Sequence, residues 1–117
     1  MSRRDSTLSR PARDPFVALA DPTRRAILTL LQAEREQTAG GIAKAFPRIS
    51  RPAVSRHLKV LRQARLVAAR RRGREWRYEL DARPLARVYY DWFQQFTPLW
   101  DQALTDLTAR VESDGGV

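Results

Sequence analysis

Residues 50–65 read SRPAVSRHLKVLRQAR, a segment in which apolar and basic side chains alternate at helical spacing. At about 100° per residue, Val54, Leu58 and Leu61 fall within one narrow arc, whereas the polar and cationic side chains fall opposite. Ser50 can accept a hydrogen bond from an orphan backbone N–H group, and the proline two residues later suits a first helical turn. The pattern predicts a capped amphipathic helix with a buried stripe and a basic exposed face.

The basic charge of the chain is concentrated around this helix. The 117 residues carry a formal net charge of +9, and residues 48–78 hold 11 basic residues against the single acidic Glu75. The remainder of the chain is therefore close to neutral. A localised basic field is typical of a nucleic-acid-binding surface, whereas an arginine-rich composition by itself would spread the charge evenly.

The exposed face of the helix has the size and chemistry to lie in a DNA major groove. Arg51 and Arg56 suit bidentate pairing with guanine, while Lys59 and Arg62 suit phosphates that set the register. A solvated helix face is the alternative interpretation. The predicted recognition-helix contacts to double-stranded DNA are Ser50, Arg51, Pro52, Ser55, Arg56, His57, Lys59 and Arg62.

Three shorter helices are predicted upstream. Residues 14–20 contain a short apolar turn of helix, and Asp21 caps a second helix whose first residue is proline. A polar break follows at residues 35–37. Thr38 can cap a third helix, and residues 47–49 form the turn that leads into the basic helix.

Downstream, the hydrophobic period changes from that of a helix to that of a strand. Residues 66–71 and 75–80 predict two strands, and the intervening RGR at residues 72–74 predicts a turn that needs its glycine. A basic hairpin directly after such a helix is typical of a wing that reaches the DNA backbone or the adjacent groove, although an exposed basic turn is the alternative. The predicted wing contacts are Arg70, Arg71, Arg72 and Arg74.

The last predicted element begins at Asp81 and is a helix of about thirty residues with a sustained apolar stripe. Pro98 interrupts the backbone ladder, so we expect a kink there or two helices joined at Thr97-Pro98. The stripe is wider than one domain face needs, which favours a partner subunit over a simple core. The predicted dimer-interface residues here are Val88, Tyr89, Trp92, Phe93, Phe96, Leu99, Trp100, Leu104 and Leu107.

The chemistry of the chain argues against an enzyme. There is no cysteine and only one histidine, His57, so a thiolate site is excluded and an imidazole metal site cannot close. Catalytic residues, a metal and a cofactor are therefore not expected. His57 is interpreted as a packing or phosphate-contacting residue. A small apolar effector among the aromatic residues of the last helix is conceivable, but aromatic side chains there are more often core.

The organisation predicts one domain at residues 14–112, preceded by a flexible arm at residues 1–13 and followed by a disordered tail at residues 113–117. No apolar run is long enough to span a membrane, and the first residues lack the apolar segment of a signal peptide. We therefore expect a cytoplasmic, nucleoid-associated protein with no membrane partner. A nonspecific nucleoid-associated or RNA-binding basic protein is the alternative function.

Three stretches closely resemble the ArsR family of bacterial winged helix-turn-helix repressors. They are DPTRRAIL at residues 21–28, SRPAVSRHLKVLR at residues 50–62, and Leu66-Val67 followed by RGR and Tyr78. The spacing of Leu85, Trp92, Trp100 and Leu107 looks like the metal-independent branch that is often called SdpR-like.

The resemblance implies a mostly α (α+β) fold, namely a winged helix-turn-helix with a two-stranded β-hairpin wing and N- and C-terminal dimerisation helices. It also implies a homodimer that binds a palindromic operator and usually represses its own or a neighbouring gene. Because the first and last helices form the dimer interface in the family that it resembles, Phe16 and Leu19 join the predicted interface.

Two positions depart from the family pattern. Arg51 stands where glutamine is common, so the base preference of the family is not transferred. Arg65 stands where a glycine usually ends the helix. A left-handed conformation would cost a side chain with a Cβ about 1 kcal/mol or more, which favours a different helix end.

Overall fold

The computed structural model describes residues 13–115. This part of the chain divides into two compact units after Leu85. The elements in chain order are α1 (Pro15–Leu19), α2 (Pro22–Glu34), β1 (Glu36–Thr38), α3 (Ala39–Ala45), α4 (Arg51–Gln63), β2 (Val67–Arg72), β3 (Glu75–Leu80), α5 (Arg83–Asp91), a 3₁₀ helix (Phe93–Phe96) and α6 (Thr97–Gly115).

The three predicted capping residues begin three helices. The Asp21 carboxylate accepts a hydrogen bond from the Arg24 N–H at 3.0 Å, Thr38 Oγ1 accepts one at 3.0 Å, and Ser50 Oγ accepts one at 3.2 Å. The pKa of the Asp21 carboxyl lies below its usual value, chiefly because of this backbone hydrogen bond. Side-chain caps therefore set where α2, α3 and α4 start.

The core of the first unit is built from apolar faces of the helices and the start of β2. Ile27 and Leu31 of α2, Ile42 of α3, and the predicted stripe of α4 are buried together with Leu66. Burial of each such side chain contributes about 1.5–3 kcal/mol. This packing holds α4 by one face and leaves its other face in solvent.

The strands form one antiparallel sheet in the order β1-β3-β2. The predicted hairpin is present, with Gly73 at φ +62° in the two-residue turn between β2 and β3. The mostly helical winged helix-turn-helix fold is thus confirmed. The sequence does not predict β1, because residues 35–37 read as a polar break. A three-residue polar strand shows no apolar alternation, and only its pairing with β3 identifies it as a strand.

Helix α4 ends in the left-handed conformation that the sequence analysis disfavoured. Arg65 has a φ of +62°, and its N–H donates to the Arg62 carbonyl at 2.9 Å. The Leu66 N–H donates to the Leu61 carbonyl, also at 2.9 Å, and both leucines are buried. This is a Schellman motif, in which two hydrogen bonds and an apolar contact outweigh the strain of a residue with a Cβ.

Replacing Arg65 by glycine should stabilise the fold by about 0.5–1 kcal/mol, because relief of the left-handed strain exceeds the added entropy of the unfolded chain. Urea unfolding followed by circular dichroism measures the change. Arg62→Gly is the matched control, since it removes the same side chain from the helical last turn and should destabilise by about 1 kcal/mol. Equal destabilisation by both changes would contradict the account.

The second unit differs from the predicted single helix. A long helix broken only at Thr97-Pro98 is wrong, because α5 already ends at Asp91 and the 3₁₀ helix intervenes. Two helices joined directly at Thr97-Pro98, the predicted alternative, are not observed either, although a helix does begin at Thr97. Pro98 lies in the first turn of that helix, where no backbone donor is needed. Helix α6 continues to Gly115, past the predicted start of the tail at residue 113. Residues 1–12 of the predicted arm, which spans residues 1–13, and residues 116–117 lie outside the described residues.

Candidate nucleic-acid interface

Helix α4 presents the predicted contact residues on one exposed face. Val54, Leu58 and Leu61 are buried on the other side, so the helix is amphipathic as the sequence predicts. Ser50 stands at the N-terminal end of this face, with its hydroxyl engaged in the cap. The exposed face comprises Arg51, Pro52, Ser55, Arg56, Lys59 and Arg62.

His57 lies apart from that face. It is half-buried, and its Nδ1 is 3.5 Å from Nη1 of Arg24 on α2. The same guanidinium donates to the Ala18 carbonyl at 2.8 Å and to the Val17 carbonyl at 3.1 Å, at the end of α1. His57 therefore belongs to a junction of α1, α2 and α4, and a contact to DNA from this position remains a prediction.

The wing brings its four predicted arginines to the surface. Arg70, Arg71 and Arg72 lie on β2 and Arg74 lies in the turn, and all four side chains are exposed. The register pairs Arg70 with Arg77 and Arg72 with Glu75, so one sheet face carries alternating cations and anions.

Two glutamates that sequence reasoning missed neutralise part of the wing. Glu79 Oε1 lies 2.9 Å from Arg70 Nε, and Glu36 lies 3.8 Å from nitrogens of both Arg72 and Arg77. Exposed pairs of this kind contribute little stability, about 0–1 kcal/mol each, but they cancel local charge. Glu36 escaped notice because it reaches the wing only through β1, the strand that the sequence did not predict.

The cations on the exposed face of α4 have no ion-pair partner in the described part of the chain. Among the ion pairs between residues 13 and 115, none includes Arg51, Arg56, Lys59, Arg62 or Arg74. The exposed face of α4 and the tip of the wing therefore form a cationic surface whose counter-charge has to come from outside the described chain. A polyanion is the chemistry that this surface suits.

The second unit places most of the predicted dimer residues at its surface. Rings of Trp92, Phe93 and Phe96 pack edge to face at about 5 Å, and Phe93 stacks on Trp100 with centroids 5.8 Å apart. The rings contact one another, which favours packing over an effector site. Among the remaining predicted residues, Val88 is buried, Leu19 packs partly against the core, and the exposed ones are Phe16, Tyr89, Leu99, Leu104 and Leu107.

Residues 13–115 contain neither a membrane-spanning helix nor a cluster of metal ligands. No helix in this range is both long and apolar enough to cross a membrane. Within the same residues, no three histidine, cysteine or carboxylate side chains cluster so that they could hold a metal ion.

Comparisons with known proteins agree with this geometry. Residues 19–70 match a helix-turn-helix domain family. The chain is 43% identical to the HTH-type transcriptional regulator Rv2034 of Mycobacterium tuberculosis over 110 residues, which cover 94% of this chain and 96% of that protein. It is 46% identical to the transcriptional repressor SdpR of Bacillus subtilis over 66 residues, covering 56% of this chain and 71% of the repressor.

Solved structures supply the family. An ArsR-like transcriptional regulator from Rhodococcus sp. RHA1 superposes with a TM-score of 0.64 and 34% identity, covering 84% of this chain and 87% of that one. The homodimeric winged helix-turn-helix DNA-binding domain of Mb0332 from Mycobacterium bovis superposes with a TM-score of 0.59 and 29% identity, covering 91% of this chain and 87% of that domain. The chain belongs to the ArsR family. The predicted resemblance is thereby confirmed, and so is the prediction of a DNA-binding transcription regulator rather than an enzyme.

Proposed function

We propose that this ArsR-family regulator is a homodimeric repressor that binds a palindromic operator. The observation that carries the proposal is the exposed cationic face of α4 beside a basic wing, because the cations of that α4 face have no ion pairs within residues 13–115. Such charge suits the phosphates of a duplex, and the flat helical face suits a major groove.

The proposal gives different residues of α4 different roles. The helix has 13 residues and is therefore about 20 Å long, which is enough to follow a major groove. Arg56 lies in the middle of the exposed face, and from this position its guanidinium is proposed to form a bidentate pair with a guanine. Lys59 and Arg62 lie further along and suit phosphates, which position the helix without reading sequence.

The dimer is supported by the exposed apolar stripe of α6. Leu104, Leu107 and Val111 recur at helical spacing and are each more than half exposed. A second copy of the chain covers such a stripe symmetrically. The homodimeric Mb0332 domain from Mycobacterium bovis has the same fold, which supports a second copy of the chain as the partner that covers this stripe. Two recognition helices then stand about 34 Å apart on a two-fold site.

Repression is supported by the similarity to SdpR, which is a transcriptional repressor. A dimer that covers adjacent major grooves at a promoter excludes other proteins from the same DNA. We place this action in the cytoplasm, at the nucleoid, on the promoter of its own or a neighbouring gene.

Footprinting on the DNA upstream of its own gene tests the proposal. A two-fold protected site should emerge, with affinity for that duplex at least about 10³-fold above that for a scrambled duplex at moderate salt. Transcription from this promoter in a purified system should fall when the protein is added. Equal affinity for both duplexes, or tighter binding to structured RNA, would support the nonspecific nucleic-acid-binding alternative instead.

A further inference from the structure

The two faces of the wing differ in chemistry. Strand pairing places Arg71 opposite Trp76, and Arg70 opposite Arg77, so these two pairs lie on opposite faces of the hairpin. On the face of Arg70, the ion pairs to Glu36 and Glu79 neutralise the cations. This outer face of the wing is therefore nearly balanced in charge.

The inner face, that of Arg71 and Trp76, is cationic and aromatic. The Arg71 guanidinium lies over the Trp76 ring at 5.6 Å from its centroid, and Arg71 Nε donates to the Gly73 carbonyl at 3.2 Å. These contacts fix the direction of the guanidinium. Trp76 nevertheless remains 48% exposed, which is unusual for a tryptophan with no role at the surface.

This inner face borders a cleft of about 450 Å³ between the wing and the start of α4. Arg51 and Ser55 line one side of the cleft, and Arg74 and Trp76 line the other. The Arg51 guanidinium lies over Gly40, 3.5 Å from the point that a Cβ on this glycine would occupy. The Arg51 side chain therefore reaches toward the cleft from the N-terminal end of the exposed face of α4.

The charge of the cleft is positive. Arg51 and Arg74 have no ion pair within residues 13–115, and the one carboxylate in the lining, Glu75, is already paired with Arg77 at 3.2 Å. Two free guanidinium groups with a serine hydroxyl and an aromatic ring match a phosphate–deoxyribose–phosphate segment. The phosphates would meet the cations, and the sugar would meet the ring.

We propose that the wing faces DNA with the side that carries Arg71 and Trp76, and that one strand's sugar-phosphate backbone lies in the cleft. The proposal rests on duplex DNA binding, the coarser part of the function proposed above. It assigns Arg51 to a phosphate instead of the guanine that the sequence suggested, and it makes Trp76 a DNA contact that the sequence analysis missed. Arg70 and Arg72 become structural partners of Glu79 and Glu36.

Tryptophan emission tests directly whether the DNA backbone lies in the cleft beside Trp76. Adding a scrambled duplex to the full-length protein should change the emission and protect it from acrylamide, because one of the three tryptophans contacts DNA. The change should vanish in Trp76→Phe, since the other two lie in the second unit. An unaltered change in Trp76→Phe would overturn the proposal, and so would a wild-type response to inorganic phosphate with none to the duplex.

Salt-dependent binding to operator and scrambled duplexes tests the assignment of the cations. Arg51→Gln should weaken both complexes alike and reduce the slope of log affinity against log salt by about 0.9 per site. Arg71→Gln should weaken both, whereas the charge-neutral pair Arg70→Gln/Glu79→Gln should leave them unchanged. Arg110→Gln, which removes one charge from α6, is the matched control for net charge.

The outcomes separate this proposal from the function on which it rests. If Arg51→Gln lost affinity for the operator but not for the scrambled duplex, Arg51 would be a base contact, and the assignment of Arg51 to a phosphate in the cleft would be overturned. Weakening by Arg70→Gln/Glu79→Gln would overturn the proposal. Alone, it would show that the wing faces DNA with its other side, and together with equal weakening by Arg71→Gln it would show that neither side is preferred. If instead the wild-type protein binds both duplexes with equal affinity, the proposed sequence-specific repression is contradicted. The results with the scrambled duplex would still show whether DNA lies in the cleft.

Discussion

Replacing Leu107 by glutamate should convert the proposed dimer into monomers. Leu107 lies on α6 between Leu104 and Val111, and its side chain is 55% exposed in the single chain. Burying one leucine contributes about 1.5–3 kcal/mol, and a two-fold interface contains the change twice. The dimer dissociation constant should therefore rise about 10²- to 10⁴-fold, as measured by sedimentation equilibrium.

The same variant should lose affinity for a two-fold operator by a similar factor, because a dimer engages its second half-site at a high effective concentration. Ala109→Glu is the matched control. Residue 109 lies about 200° around α6 from residue 107, so it introduces the same charge on the opposite side of the helix. Equal dissociation in both variants, or an intact Leu107→Glu dimer, would rule out this stripe as the interface.

Removing the Arg56 side chain should abolish most of the operator specificity. Arg56 is exposed at the centre of α4 and has no ion pair within residues 13–115, so its guanidinium is available to a base edge. A bidentate contact discriminates by about 1–3 kcal/mol, and each half-site of a dimer contains one. Arg56→Ala should therefore weaken operator binding about 30-fold or more. Its binding to a scrambled duplex should change far less.

Lys59→Ala is the comparison for Arg56→Ala, because Lys59 lies almost one turn further along the same exposed face. As a phosphate contact, it should lower affinity for every duplex alike and reduce the salt slope by about 0.9 per site. Fluorescence anisotropy with operator and scrambled duplexes across a salt series measures both variants. If Arg56→Ala also weakens the two complexes equally, Arg56 is a phosphate contact and specificity resides elsewhere.

Local signals predicted much of the fold correctly. The caps at Asp21, Thr38 and Ser50 and the apolar arc of α4 depend on residues within a few positions of one another. The glycine of the wing turn is equally local, since its φ of +62° suits a residue without a Cβ. For that reason the exposed face of α4 and the arginines of the wing could be found from sequence.

The features that escaped prediction depend on contacts between distant residues. β1 consists of three polar residues and becomes a strand only because β3 pairs with it. Glu36 then balances Arg72 and Arg77, which changes the view of a uniformly cationic wing. Arg65 keeps its left-handed conformation because Leu61 and Leu66 are buried around it, a tertiary effect that outweighs local preference.

The guanidinium of Arg24 has a mechanical consequence. It donates to the carbonyls of Val17 and Ala18 on α1 and lies 3.5 Å from His57 on α4, so it connects these two helices through α2. We therefore expect this junction to hold α1, α2 and α4 of one protomer in a fixed arrangement. In the dimer proposed above, a change in the distance between the two half-site contacts would then come from movement of one protomer relative to the other, and not from a bend between α1 and α4.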